Sequence, residues 1–455
     1  MNRHDEYINM LRELEPPASL EATLERAKFR RKKQIRREAI RLAMIPLIFL
    51  FCFALLVNFC APVAYACSNI PLLRELAEAV SFSRSLTAAV ENDYVQPIEL
   101  KQSENGISAE IAYLIVDQKQ VNIFYRLSSE KYKQLSADPS LVLGVDGLGY
   151  SLSSNGIGME DDGLLSLTVD FVDNQVPDSI HLRLQVYSNS RDPAQAPESS
   201  VEDLMFSDEL PERPQYLADF DFELKFDPRF TAHGRIHEVN KTVILDGQQI
   251  TIKTVEVYPS HMRVDISEAE SNTAWLKDLY FHIESDWGMR FEPVSSGITA
   301  TGSADSPSFV SYRADSSYFY RANKLELVIS GAKWLRKDMD SSYINLSTGE
   351  TGELPQGASF ESAERQGSTW ILTFRAELPE GEPMHQLFDS SFCDSEGNEY
   401  EINMWSSYFG EDENDSSSYF YDSFPLKNYP YDEVWLRPSY SHYWSSSEDI
   451  VVQIY

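Results

Sequence analysis

Three hydrophobic patterns succeed one another along the chain. In the first, apolar residues sit at helical spacing in polar surroundings, at Tyr7, Ile8, Leu11 and Leu14, until Pro16-Pro17 breaks the run. The second, Leu42–Ala66, holds no charged residue and is apolar apart from Asn58. A short amphipathic stretch from Ile70 to Val80 follows and predicts a helix ending before Asp93. After about residue 95 the period changes to two. Alternating Val, Ile, Tyr, Phe and Leu separated by Gly, Asn, Asp and Ser turns predict β-strands packed in sandwiches.

The second pattern sets the expected topology. A helix over 42–66 would span roughly 37 Å at ~1.5 Å per residue, enough for the ~30 Å hydrocarbon core. Arg30, Arg31, Lys32, Lys33, Arg36, Arg37 and Arg41 precede it. Cations crowded before an apolar stretch orient a membrane helix with that end inside. The expectation is a single-pass protein of the cell membrane, N-terminus cytoplasmic and C-terminus extracytoplasmic, with the lipid bilayer as a partner. Ala64-Tyr65-Ala66 before Cys67 resembles a signal cleavage site, but the charged leader is far longer than such a signal carries.

A degenerate threefold repeat organises the β region. Its units open at Gly106-Ile107, Gln249-Ile250 and Ala358, each with an alternating run, a turn and a second run. A later alternating strand begins 74, 74 and 76 residues after Ile107, Ile250 and Ala358, at His181, Lys324 and Val434. The fold class expected is mainly β: one N-terminal transmembrane helix followed by two to three Ig-like β-sandwich modules. The expected divisions are a basic tail over 1–41, the helix over 42–66 and a juxtamembrane helical segment over 67–94. Modules over 95–228, 229–354 and 355–455 follow.

Composition narrows the chemistry. Of 455 residues, 71 are Asp or Glu and 39 Lys or Arg, net −32. The excess is lopsided: residues 1–41 carry 11 basic and 7 acidic side chains, and residues 67–455 carry 28 and 64. So acidic a body disfavours nucleic acid as a partner. Four cysteines in 455 residues make no disulfide framework. Phosphate-loop, dinucleotide, Gly-x-Ser-x-Gly and His-Glu-x-x-His motifs are absent from the sequence. His233 and His237 are four apart, but on a strand that places them ~13 Å apart, too far for one metal. Glu411-Asp412-Glu413-Asn414-Asp415 has oxygen ligands that suit calcium, without the alternate spacing of a calcium loop, and reads as a solvated acidic loop. The aromatics Tyr408, Phe409, Tyr419, Phe420, Tyr421, Phe424, Tyr429 and Tyr431 read as core, with stacking on sugars or a peptide as the alternative. No nucleophile is paired with a base at any specific spacing. The expectation is therefore no enzyme, no catalytic or metal residues and no cofactor.

Ala64-Tyr-Ala66, Ser68-Asn-Ile-Pro-Leu-Leu, Leu86-Thr-Ala-Ala-Val-Glu-Asn-Asp-Tyr-Val-Gln and Asn105-Gly-Ile resemble the bacterial membrane proteins called domain of unknown function 4179. Val243–Val257 is similar to the Ig-like second domain that often accompanies it. The resemblance implies a Gram-positive host and an anti-sigma or sigma-regulating role in signal transduction. On that reading Tyr7, Ile8, Leu11 and Leu14 would dock a sigma factor, and the ectodomain would meet an envelope ligand or protein. The alternative is a structural or adhesive cell-envelope protein that binds wall polymer or another protein.

Overall fold

A computed structural model describes residues 3–12, 71–132, 134–142, 150–155, 163–171, 175–188, 215–231, 233–303, 306–377, 386–411 and 418–455. They fall in two units, Met1–Leu73 and Arg74–Tyr455. In the first, the early helical spacing forms the helix Arg3–Arg12.

The described helices run over Arg3–Arg12, Pro71–Ala79 and Arg84–Glu91, with 10, 9 and 8 residues. A membrane crossing needs about 20. Among the described residues no helix is long and apolar enough to cross a membrane. The segment 42–66, on which that expectation fell, lies outside the described residues, as do Arg30, Arg31, Lys32, Lys33, Arg36, Arg37 and Arg41. The single-pass topology, the bilayer as partner and the cytoplasmic and extracytoplasmic termini thus have no helix among the described residues to rest on and are set aside. The Ig-like description gives way as well. The structure is mostly β-strand in several sheets, none of them established as a closed Ig-like sandwich.

The amphipathic run after residue 70 forms two helices. Ser83 starts the second: its backbone is extended and its hydroxyl accepts from Leu86 N. From Gln96 onward the described residues form six sheets, two to each of three apolar cores.

In the first module the strands Gln96–Glu104, Ile107–Val116, Gln120–Ser129, Leu165–Phe171 and Tyr150–Asn155 lie side by side in that order. A second sheet places Ser179–Ser188 between Leu135–Leu141 and Ala218–Lys225. Ala218–Lys225 alternates buried and exposed residues without a break, as a strand with one covered face must.

The middle module repeats this plan. Its hairpin Gln248–Val257/Met262–Glu268 is flanked by Arg235–Leu245 and Ser306–Ala314, and its late strand Leu325–Arg336 is central in the second sheet. In the third module the late strand Glu433–Pro438 is again central in the second sheet, but the hairpin Ala358–Gln366/Thr369–Ala376 lies at one end of its sheet, with Ala358–Gln366 as the edge and Ser418–Leu426 beside Thr369–Ala376. Each hairpin also carries a one-residue bulge in its first strand: at Ala112 between Ile111 and Tyr113, at Lys253 between Ile252 and Thr254, and at Glu361 between Phe360 and Ser362. A bulge reverses the in–out alternation of everything beyond it, so three matching bulges are a stronger sign of repetition than three alternating runs.

The modules differ in where one strand comes from. Beside each late strand lies a strand closing that side of the sheet. In the first module it is Ala218–Lys225, later in the same segment; in the third it is Ser342–Asn345, from before the hairpin. In the middle module it is His442–Gln453. These residues, grouped by the sequence pattern with 355–455, are hydrogen-bonded into the middle sheet, and their Val452 together with Ile454 joins the middle core. The third module is therefore inserted within the middle one. Gly331 sits at the register break opposite this strand, where a Cβ would come within 2.6 Å of the Trp444 carbonyl oxygen.

Candidate functional site

The most elaborate polar constellation of the described residues lies where the first and middle modules meet. It is built from the turns of their equivalent hairpins. Asp117 follows the strand Ile107–Val116, and Ser260 and His261 precede Met262–Glu268. All three are buried, with exposures of 0, 4 and 2 %. One Asp117 carboxylate oxygen accepts from the backbone N–H groups of Lys119 and Gln120, both at 2.9 Å, which shapes its own turn. The other accepts from Ser260 N at 3.1 Å and Ser260 Oγ at 2.6 Å, which fastens the second turn to the first.

Proton accounting fixes the histidine. With Asp117 ionised, the single Ser260 hydroxyl hydrogen goes to Asp117. The 2.7 Å contact between Ser260 Oγ and His261 Nδ1 then needs its proton on Nδ1. Nε2 is left as a bare acceptor, and it has no partner in its buried position. Burial, then Arg313, Arg263 and Lys119, holds the imidazole well below its usual range. His261 Nδ1 and Asp117 Oδ2 are 3.9 Å apart, but a neutral ring makes this no ion pair. Burial also pushes the Asp117 carboxyl up, against the hydrogen bonds from Ser260, Lys119 and Gln120 that favour its charge.

The three residue types are those of a serine hydrolase, but the arrangement is not. In a nucleophilic triad the histidine stands between serine and carboxylate. Here serine stands between the other two, and the group is sealed from solvent. Its chemistry is that of a fastening.

Further contacts extend the seam. Gln118 accepts from Gly234 N at 3.0 Å and its amide nitrogen lies 2.6 Å from His233 Nδ1. Gly234 is required there, because a Cβ would fall 2.2 Å from the Tyr258 ring, which packs 5.5 Å from His261. The Tyr94 hydroxyl lies 2.7 Å from the carbonyl oxygens of both Val116 and Phe230. Arg313 Nη1 stands 3.3 Å from Asp170 Oδ2. The helix Arg84–Glu91 adds Ser85, whose hydroxyl donates to Asp315 at 3.1 Å and accepts from Ser316 N at 2.7 Å. A second seam, at the third module, uses Ser441: its hydroxyl donates to the Trp334 carbonyl at 2.8 Å, and its own carbonyl accepts from Gln356 N.

The third module's aromatics divide. Phe420, Phe424 and Tyr429 are wholly buried, whereas Tyr408, Phe409 and Tyr431 are 51, 53 and 47 % exposed. Tyr408 and Phe409 lie on Ser406–Glu411, the last strand of its sheet.

With this geometry in hand, comparison places two segments. Residues 30–129 match the family described as Domain of unknown function (DUF4179), and residues 234–361 the Family of unknown function (DUF5643). The chain carries a domain similar to each. Asp117 lies in the first matched segment, and Ser260 and His261 in the second, so the seam joins the two. A crystal structure of a conserved domain protein from Bacillus anthracis aligns over 57 % of this chain and 84 % of its own, at 13 % identity and a TM-score of 0.38. No curated protein matches the chain.

Of the residues singled out by sequence, His233 alone has a contact in this seam, through Gln118. Tyr7 and Ile8 are exposed on the helix Arg3–Arg12, Leu11 falls on the same helix, and Leu14 lies outside the described residues. The sigma-factor partner inferred for them depended on a chain crossing the membrane, and with no spanning helix among the described residues the anti-sigma reading is set aside. His233 and His237 go separate ways, one to Gln118 and the other stacked 4.4 Å from Tyr455. Residues 412–415 of the acidic run lie outside the described residues. Asp117, Ser260 and His261 belong to no sequence motif; their one local signal is the polar Asp-Gln-Lys-Gln and Ser-His turns at equivalent hairpins.

The buried histidine makes stability depend on pH. Its folded pKa is depressed, so on acidification the unfolded chain takes up this proton first. Stability is then lost as the pH falls below the ordinary value of ~6.5. Asp117, whose folded pKa is raised, works in the opposite direction within the carboxylate range; half-buried His237, lowered by burial and Arg235, adds to the His261 effect. Melting curves at about pH 7.5 and about pH 5.5 should show a fall that His261→Gln reduces; equal falls in both proteins would exclude His261 as its source.

Proposed function

We propose that the chain is a non-catalytic structural or adhesive protein, whose β modules form a stiff body that presents a binding surface to another protein. The observation that carries this reading is the sealed polar seam of Asp117, Ser260 and His261. Modules that move independently meet through small, wet and exchangeable contacts. A buried carboxylate accepting four hydrogen bonds, two of them from the neighbouring module, is costly to separate and holds one orientation. The insertion of the third module supports the same reading, since two chain crossings restrain it more than one linker would.

Hydrogen exchange on the full chain tests this. Amides of Lys119, Gln120 and Ser260 should be as protected as those of Ile123 and Val264 in the adjoining strands. Exchange at the seam orders of magnitude faster than in the strands would mean that the modules part freely, and the stiff-body reading would fail.

A further inference from the structure

An exposed sheet edge is a template for another strand, and folded proteins blunt such edges with proline, lysine, inward charges, bulges or brevity. Most edges here are blunted. Gln96–Glu104 has Pro97 and a register break, Leu135–Leu141 has Pro139, and Ala358–Gln366 carries the bulge at Glu361. Glu399–Glu401 is three residues long.

Ser406–Glu411 has none of these devices. Its pairing with Ser418–Leu426 runs unbroken from Ser406↔Ser423 to Glu411↔Ser418, and its sequence SSYFGE contains neither proline nor lysine. Among the described residues nothing pairs with its other side. Tyr150–Asn155 is also regular, but the side chains it exposes are serines. Ser406–Glu411 instead exposes half of two aromatic rings. Because the two are consecutive they lie on opposite faces of the sheet. Tyr408 stacks on Tyr421 at 5.2 Å and 13°. Phe409 lies 5.9 Å from Phe420 at the rim of the core. Gly410 lets the Tyr421 ring lean against the strand, since a Cβ there would stand 2.9 Å from that ring.

We propose that Ser406–Glu411 is a docking edge for an extended, basic segment of a partner protein, which adds itself as a further strand of this sheet. The proposal rests on the reading of the chain as a binding scaffold and names the surface and its ligand class. The backbone of the added strand would pair with the open edge. A cationic side chain on one face would continue the stack over Tyr408, and an apolar one on the other would cover Phe409. Charge selects the partner. The strand runs directly into Asp412-Glu413-Asn414-Asp415, in a chain of net charge −32. A second copy would bring the same charge to the contact, whereas a Lys- or Arg-bearing strand is attracted.

The test uses the full chain and a short fluorescent peptide of alternating lysine and valine. It is compared with the same peptide N-methylated at alternate amides and with one bearing glutamate for lysine. The lysine peptide should bind; N-methylation, which keeps the charge and removes the backbone donors, should weaken it about tenfold or more, and the glutamate peptide should not bind. Tyr408→Lys, at a half-exposed position, should weaken the lysine peptide similarly while leaving the melting temperature in place. Equal binding of the N-methylated peptide, indifference to Tyr408→Lys, or no binding would overturn the proposal. So would a concentration-dependent dimer of the protein that Tyr408→Lys abolishes, because the edge would then serve a second copy. The seam exchange rates are read independently, so a missing docking edge and a flexible scaffold give different results.

Discussion

Removal of residues 442–455 is expected to unfold the middle module while the first module stays folded. The strand Leu325–Arg336 would lose its ladder partner from Glu326↔Gln453 to Trp334↔His442. Val452 and Ile454 would leave the core, and Leu327 and Ile329, now fully buried, would meet water. The removed strand carries one side of a sheet, and the expected loss exceeds roughly 5 kcal/mol, comparable with the whole stability of an ordinary domain. Limited proteolysis should cut within 235–336 and spare 96–129. Val452→Asp, which places a charge among apolar neighbours, should reproduce much of the loss without shortening the chain. A truncated protein that melts at the same temperature, with the same resistance to protease, would show that the pairing is dispensable.

Asp117→Ala comes next in size. It leaves the N–H groups of Lys119, Gln120 and Ser260 and the Ser260 hydroxyl without their acceptor in a closed space. A loss of about 3 kcal/mol or more is expected, most of it the cost of stranding buried donors. Asp117→Asn should fall between, because its amide oxygen still accepts for one of the two turns. Chemical denaturation at neutral pH measures both. A change for Asp117→Ala within about 0.5 kcal/mol of the parent would mean that water replaces the carboxylate, and that the seam is not closed as described.

Both expectations depend on long-range pairing, and there the sequence was least informative. The hairpins at Ile107, Ile250 and Ala358 were legible because alternation and turn residues are local signals. The late strands were legible by their even offset, and each lies in the second sheet of its module. The destination of His442–Gln453 was not. A strand's periodicity tells which face it buries but not which neighbour it joins, and proximity along the chain favoured the third module. The seam was hidden for a related reason. Asp117 reads as a turn former, and it is one, through Lys119 and Gln120; its other oxygen reaches a serine with no local mark. The exposed pair Tyr408 and Phe409 is indistinguishable in sequence from its buried neighbours, because a core aromatic and a rim aromatic have the same pattern until the edge of the sheet is known.

The inserted third module also has a consequence for synthesis. A chain emerging from the ribosome presents the strands of 235–336 while residues 337–441 are still being translated, and the strand that completes their sheet comes last. The nascent middle module must therefore wait with Leu325–Arg336 unpaired on one side until the intervening module has been made.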